Sequence, residues 1–136
     1  MFKIIFYEDK NGKCELQRYL IELKRKADNG NKNARINLNK IVAYIDMLEE
    51  IGTRIGEPIT KHLYGEIWEL RPLENRILYA YYENDSFILL HHFKKKIRKA
   101  PKRELEKAVN NLQDYRERME KSHGKNMGNC SWGIKD

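Results

Sequence analysis

In this 136-residue chain, two arginines on either side of a short turn could bind a phosphate group. Arg71 ends one apolar segment and Arg76 begins the next, so a hairpin can bring both guanidiniums near one phosphate. A guanidinium stays charged and presents a planar fork of N–H donors that suits phosphate oxygens. Strand alternation predicts that Trp68 and Leu70 face the core. Glu69 then points outward with Arg71 and places a carboxylate beside a guanidinium.

Two adjacent histidines, His91 and His92, end a later apolar segment and could transfer protons. Histidine has an ordinary pKa of about 6.5, which suits proton transfer near neutral pH. Neighbouring residues of a strand point to opposite faces, so only one of the two can readily face a site. We favour His92 as the acid or base, on the expectation that it shares a face with Ile88 and Leu90. The face of His91 is expected to hold Phe87, Leu89 and Phe93.

A dense run of basic residues follows the histidines. The chain has 27 Lys and Arg against 20 Asp and Glu, a formal net charge of +7. Residues 94–107 carry eight bases and two acids, a net of +6. A cluster of this kind builds a local positive field and suggests a polyanionic partner. The bases nearest the histidines are candidates for phosphate contacts: Lys94, Lys95, Lys96, Arg98 and Lys99. A lysine crowded by other cations gives up its proton more readily, so Lys94 could also act as an acid or base.

An N-terminal strand and two helices precede these candidates. Residues 2–7 are rich in β-branched and aromatic side chains and end in a turn, which predicts a strand. Apolar residues then recur at steps of three and four over residues 13–27 and 33–50, as on the buried face of a helix. Gly30 and Gly52 follow the two repeats, a common position for glycine after a helix. We therefore expect an αα-hairpin after the strand.

Three further strands must carry the candidate residues. Residues 67–71, 76–82 and 87–93 are rich in strand-forming side chains and are joined by four-residue connections. Connections of this length are typical of hairpins, so the segments predict an antiparallel meander.

A last helix and a tail complete the chain. Pro101 suits the first turn of a helix, and apolar residues at helical spacing continue to about residue 120. The order β-αα-βββ-α predicts one α+β domain over residues 1–121, an antiparallel sheet with helices packed against one of its faces. Residues 122–136 contain three glycines and no periodicity, so we expect a flexible tail.

Composition narrows the class of protein. No segment approaches the roughly 18 consecutive apolar residues of a membrane span, and the first residues do not resemble a signal peptide. We therefore expect a cytoplasmic protein with no membrane partner. Cys14 and Cys130 lie far apart, in neither a disulfide nor a zinc-ligand pattern. Without clustered carboxylates or Cys/His sets, a metal-dependent nuclease is unexpected, and no cofactor is predicted.

An ordered set of short motifs spans residues 61–108. The motifs are Trp68-Glu69-Leu70-Arg71, Arg76 with the aliphatic and aromatic strand after it, Leu89-Leu90-His91-His92-Phe93-Lys94-Lys95-Lys96, Pro101, and Glu104 to Ala108. In this order they resemble the core of the RelE/ParE toxin superfamily, and most of all its HigB-type, phage-derived branch. One departure is Ala100, a poor helix N-cap where relatives commonly carry Thr.

The resemblance implies a RelE-like fold and a small toxin of a type II toxin-antitoxin pair. Such toxins are usually ribosome-dependent mRNA endonucleases, so mRNA and the ribosome are implied partners. A cognate antitoxin protein, of a helix-turn-helix, HigA-like kind, would neutralise the toxin in a hetero-oligomer.

Metal-free RNA cleavage needs a proton acceptor for the 2′-hydroxyl, a donor for the 5′-oxygen and cations around the phosphate. With the resemblance in hand, the predicted catalytic residues are Arg71, Arg76, His92, Lys94 and Glu69. The predicted RNA-binding residues are Lys61, Tyr64, His91, Lys95, Lys96, Arg98 and Lys99.

Three alternatives stay open at this point. The two arginines could simply pair with acidic residues on a solvated sheet face, among them Glu69, Glu74 and Glu83. The same fold could belong to a ParE-like toxin that poisons DNA gyrase by binding, without hydrolysis. The chain could also be a nucleic-acid-binding module without activity.

Overall fold

The computed structural model describes residues 1–95 and 102–122. Its helices are α1 (Glu15–Asp28), α2 (Lys32–Ile51) and α3 (Lys102–Ser122), with a short 3-10 helix, Gly52–Ile55, after α2. Its strands are β1 (Lys3–Phe6), β2 (Thr60–Tyr64), β3 (Ile67–Leu70), β4 (Asn75–Tyr82) and β5 (Ser86–Lys94). The elements confirm the predicted α+β class and are consistent with a RelE-like fold.

The five strands form one sheet in the order β1-β5-β4-β3-β2. The predicted meander is confirmed, because β3, β4 and β5 pair in sequence and antiparallel. β1 lies at one edge and runs parallel to β5, with Phe6 opposite Leu89. The chain leaves the sheet after that pair, so β1 covers only the first half of β5.

The edge strand β2 was not predicted from the sequence. It pairs antiparallel with β3, and Lys61 lies opposite Glu69. Of its five residues, Thr60 is buried and three are exposed. A short, polar strand of this kind carries little apolar alternation, which is why the pattern of the sequence does not reveal it.

The helices cover both faces of the sheet, so the prediction that they share one face is wrong. On the α1/α2 face, Leu20, Ile41 and Ile45 form a buried cluster with Ile77 and Tyr79 of β4. On the α3 face, Ala108, Leu112 and Tyr115 form a second cluster with Leu78 and Ala80 of the same strand. The first six residues of β4, Asn75 to Ala80, are all buried, and a run of successive buried residues needs a layer on each side of the strand.

A bulge in β5 places Leu90 and His91 on the same face of the sheet. Leu78 of β4 pairs with His91, and the next residue, Tyr79, pairs with Leu89, so Leu90 is an extra residue. At such a bulge two successive residues oppose one on the partner strand, and the alternation is interrupted. Leu90 packs on the α3 face, and His91 follows it there opposite Leu78. His92 stacks against Tyr19 of α1 on the other face.

The bulge overturns the predicted grouping of residues on β5. Ile88 and Leu90 were expected on the face of His92, but they belong to the α3 cluster. Phe87 and Leu89 were expected on the face of His91, but they belong to the α1/α2 cluster. Phe93 lies on the α3 face, as predicted for a residue on the side of His91.

Two further predictions from the sequence concern the C-terminal tail and membrane-spanning helices. The expected tail, residues 122–136, lies outside the described residues apart from Ser122, which ends α3. Among the described residues, no helix combines the length and apolar character that crossing a membrane requires.

Candidate functional site

Several predicted residues meet on the α3 face of the sheet. Lys61, Glu69, Leu78 and His91 lie opposite one another on four successive strands. Residues directly opposite in antiparallel strands point to the same face, so this row places a lysine, a glutamate and a histidine on one face. Arg76 lies two residues before Leu78 on β4 and is therefore a diagonal neighbour of His91.

Glu69 is buried, not outward-facing as predicted. Its side chain is only 7% exposed, and its Oε1 lies 3.5 Å from Nε of Arg71. Arg71 also approaches Glu57, at 3.9 Å between Nη1 and Oε1, and is 24% exposed. The backbone N–H of Arg71 donates to the carbonyl of Ile59 at 2.9 Å. Arg71 is thus held beside a carboxylate while part of its guanidinium faces solvent.

Arg76 is buried at the start of β4, with 8% of its surface exposed. Its Nη1 donates to the carbonyl of Leu73 at 2.6 Å and to the carbonyl of Asn75 at 2.8 Å. Leu73 has a φ of 59°, the left-handed turn conformation of the β3–β4 connection. In the described part of the chain, the buried Nε of Arg76 has no hydrogen-bond partner. The guanidinium is therefore held in place with one buried donor, Nε, uncommitted.

Burial and the neighbouring charges both shift the pKa of Arg76. Burial lowers the pKa of the Arg76 guanidinium, and the nearby positive charge of Arg71 lowers it further. The negative charges of Glu69 and Glu74 act in the opposite direction. Arginine nevertheless stays protonated in proteins. The site therefore holds a buried positive charge, and its burial costs solvation free energy.

His91 is bound to a carboxylate from α3. Its Nε2 lies 2.6 Å from Oε1 of Glu104, and the two side chains are 8% and 13% exposed. The ring also stacks near Phe93, with 6.0 Å between centroids. One residue before the histidine, the carbonyl of Leu90 accepts a hydrogen bond from Nδ2 of Asn111 at 2.9 Å. The start and middle of α3 are thus anchored at the bulge of β5.

A stripe of polar residues along α3 makes these contacts. It is formed by Glu104, Lys107, Asn111, Asp114 and Arg118, at alternating steps of three and four, so they share one side of the helix. Asp114 accepts a hydrogen bond from the hydroxyl of Tyr7 at 2.6 Å, and Arg118 donates to the carbonyl of Glu8. The stripe faces the β5 edge that β1 leaves uncovered.

His92 lies in a different environment on the α1/α2 face. Its Nε2 is 3.2 Å from Oδ1 of Asn75, and its ring stacks on Tyr19 with 4.1 Å between centroids. Burial lowers the pKa of His92 to about 4, and electrostatic interactions with His91 and Lys94 act in the same direction. His92 is therefore neutral at pH 7.

A cleft of about 260 Å³ opens between α1, α3 and the loop after β1. Both histidines line it, and its charged lining residues are Asp9, Lys13, Glu15 and Lys107. The cleft exists because β1 ends at Phe6, which leaves the second half of β5 without a partner strand on that side. Its floor includes Leu89 and Leu90.

The remaining predicted residues are spread more widely. Lys61 is exposed on β2, and Tyr64, at 66% exposed, borders a groove with Leu105 and Val109 of α3. Lys94 is exposed and lies opposite Asn75. The backbone N–H of Lys95 donates to the carbonyl of Glu74 at 2.8 Å. The predictions for Lys96, Arg98 and Lys99 lie outside the described residues.

Four residues near the histidines were missed from sequence: Lys13, Glu104, Lys107 and Asn111. The signal for three of them was available, since polar residues at steps of three and four mark one side of α3. The residues that this side of α3 contacts depend on the tertiary structure, through the bulge in β5 and the early end of β1.

The fold is consistent with that of the small RelE/toxin-like proteins. The chain belongs to the phage-derived Gp49-like protein family (DUF891), whose pattern matches residues 17–113. This family is associated with the toxins of toxin-antitoxin pairs, which in general act with an antitoxin partner. No curated protein shows a significant match to the chain.

Proposed function

We propose that the protein is a HigB-like toxin that cleaves mRNA on the ribosome by acid–base catalysis without a metal ion. The observation that carries the proposal is the grouping of Lys61, Arg71, Arg76 and His91 at one end of the α3 face. Cleavage of RNA by its own 2′-hydroxyl needs positive charge around one phosphate and a proton acceptor beside it. This end of the sheet offers both.

Each residue has a distinct role in the proposed reaction. Arg71 and Lys61, which reach solvent, contact phosphate oxygens of the message. Arg76 supplies positive charge from within the sheet, and its uncommitted Nε donates to a phosphate oxygen that comes close enough. A buried donor without an acceptor costs about 1–3 kcal/mol, so a phosphate that satisfies it is bound more tightly. His91 takes or gives the proton, in place of His92.

Glu69 and His92 have supporting roles in this proposal. Glu69 holds Arg71 in place through the 3.5 Å contact and keeps charge balanced beside Arg76. His92 braces α1 against β5 from the other face. Lys94, Lys95 and the bases after them are proposed to extend the phosphate contacts along the message. The catalytic domain is proposed to be residues 1–121, acting in the cytoplasm and silenced by a helix-turn-helix antitoxin.

A double variant, Arg71→Ala with Arg76→Ala, tests the role of the arginines. We expect a loss of about 10²–10³-fold in cleavage of a translated message, because two cations leave the phosphate. Arg76 is buried, so the exposed pair Lys61→Gln with Arg71→Gln is measured alongside it, with folding checked by circular dichroism. Lys24→Gln with Lys26→Gln removes the same charge from α1 and should leave cleavage unchanged. Full activity in both test variants would refute the proposed mechanism.

Ribosome dependence and reaction class are tested with the unmodified protein. Naked RNA should be cut poorly and translated messages well, and equal cutting of both would remove the ribosome from the proposal. In cells, expression should block translation and leave cleaved messages. Uncut messages with inhibited DNA supercoiling would instead identify a ParE-like gyrase poison. Normal growth on expression would point to a binding module without activity.

A further inference from the structure

A short hydrogen bond joins Glu104 of α3 to His91 of β5. Oε1 of the glutamate lies 2.6 Å from Nε2 of the imidazole, and both side chains are largely buried. A carboxylate only accepts hydrogen bonds, so Nε2 must carry the proton of this contact. In the neutral ring the other nitrogen, Nδ1, is then unprotonated and can act as a base.

His91 contacts Glu104 and also lines a cleft. His91 lines the cleft beside α1, together with the cations Lys13 and Lys107. Among the described residues, Glu104 does not line that cleft, so its carboxylate contacts the ring from outside it. A substrate group in the cleft could thus reach His91 without touching Glu104.

Burial makes this contact stronger than a surface ion pair. Glu104 also lies 4.0 Å from Nη2 of Arg103, but that arginine is 77% exposed and its charge is screened by water. The 2.6 Å contact to His91 is largely shielded from water, and a charge-assisted hydrogen bond there holds the ring in one orientation. A carboxylate in this position also stabilises the imidazolium that forms when the ring takes up a proton.

We propose that Glu104 is a positioning residue for His91: it holds the Nε2–H tautomer, so that Nδ1 accepts the proton of the RNA 2′-hydroxyl. The inference rests on the proposed function. The 2′-oxygen forms its bond to phosphorus as its proton moves to Nδ1. The bond from phosphorus to the 5′-oxygen breaks, and that oxygen leaves with the bonding electrons and takes a proton from water. The hydroxide so formed removes the proton from the imidazolium.

The test compares Glu104→Gln with Glu106→Gln, an exposed glutamate two residues further along α3. The substrate is a message on programmed ribosomes, and kcat and KM are measured separately. Gln keeps the size of Glu but can hold either tautomer, so we expect kcat to fall about 10²-fold with KM changed by less than about twofold. E106Q should behave as the wild type.

Side-chain ¹⁵N spectra of the free protein give a readout that a packing role would not move. In the wild type, Nε2 of His91 should be protonated and Nδ1 unprotonated, with His91→Gln used to assign the signals. E104Q should show a mixture of tautomers. Glu104→Asp keeps the carboxylate and should cut faster than E104Q, whereas a purely structural contact predicts the reverse because Gln is closer in size.

Three results would overturn the inference: E104Q cutting at the rate of E106Q, a wild-type His91 protonated at Nδ1, or E104D cutting more slowly than E104Q. An inactive wild type is a separate outcome, because it refutes the proposed function itself, and the role of Glu104 with it. An active wild type with an unaffected E104Q refutes the role of Glu104 alone.

Discussion

The two faces of the sheet give adjacent histidines opposite surroundings. On the α3 face His91 contacts the carboxylate of Glu104, and Arg76 lies diagonally opposite on the neighbouring strand. On the α1/α2 face His92 contacts an amide, Asn75, and an aromatic ring, Tyr19. The residue type is the same, so the difference in chemistry comes from the partners that each helix layer provides.

The two histidines also differ in how fully the buried polar groups near them are hydrogen-bonded. Asn75 is completely buried, and its Oδ1 accepts hydrogen bonds from Tyr19 and His92. Its Nδ2 donates to Asn37 and to the carbonyl of Pro72. A fully satisfied, neutral network of this kind rigidifies a core. The α3 face instead concentrates charge and leaves a buried donor uncommitted, which is typical of a functional surface.

Separate substitution of the two histidines tests the comparison most strongly. His91→Gln should lower the rate of message cleavage by about 10²–10⁴-fold, the usual contribution of a general acid or base. His92→Gln should keep the rate within about threefold but lower the melting temperature, because the stack on Tyr19 is lost. Cleavage assays and thermal unfolding measure the two effects. The reverse pattern would assign the proton transfer to His92.

Removal of the buried amide tests the α1/α2 face alone. Asn75→Ala leaves the hydroxyl of Tyr19, Nε2 of His92 and the amide of Asn37 without a shared partner, so the free energy of unfolding should fall by about 3 kcal/mol. Urea unfolding measures this loss. Asn110→Ala, at an exposed position of α3, is the control and should change stability by less than about 0.5 kcal/mol. Equal losses would argue against the network.

The pH dependence of stability should reveal the neutral histidine. The unfolded chain binds a proton at His92 below about pH 6.5, but the folded protein does so only near pH 4, where the pKa of His92 lies. The free energy of unfolding should therefore fall as the pH drops from 6.5 towards 4, by about 2 kcal/mol at pH 4.5. His92→Gln should show a smaller drop, and an equal drop would contradict the assignment to His92.

Carboxyl groups contribute at the acidic end of this window, because Glu22 and Glu66 have pKa values lowered from an ordinary 4.5, but they do so in the wild type and in His92→Gln alike. Asp114 also has a lowered pKa, but its ordinary value of 3.8 means that its stabilising charge is lost only at lower pH. Comparing the wild type with His92→Gln between pH 4.5 and 6.5 isolates the histidine.

The sequence predicted the helices and the central meander because their apolar residues repeat at regular spacing. α1, α2 and the segment of α3 after Lys102 follow steps of three and four, and β3 to β5 are bounded by clear turns. It did not predict β2, whose residues are mostly polar. Nor did it predict helices on both faces, because an amphipathic stripe shows that a helix is buried but not against which side of a sheet.

The candidate site was predicted in its composition but not in its arrangement. The hairpin was expected to bring Arg71 and Arg76 together, whereas the place of Lys61 opposite Glu69 was not predicted; the pairing of Arg71 with Glu69 was one of the open alternatives. The choice of His92 over His91 relied on unbroken alternation. Four successive apolar residues, Phe87 to Leu90, suit both faces equally, so nothing in the pattern marks the bulge.

The bulge in β5 affects how α3 is attached to the sheet but not the faces on which the two histidines lie. If Leu90 were deleted, Leu89 and His91 would become consecutive partners of Tyr79 and Leu78, and each histidine would keep its present face. What the shorter strand would lose is the carbonyl that accepts the hydrogen bond from Asn111. The inserted residue thus leaves the faces of the histidines unchanged, and its carbonyl provides one of the hydrogen bonds that attach α3 to the rest of the protein.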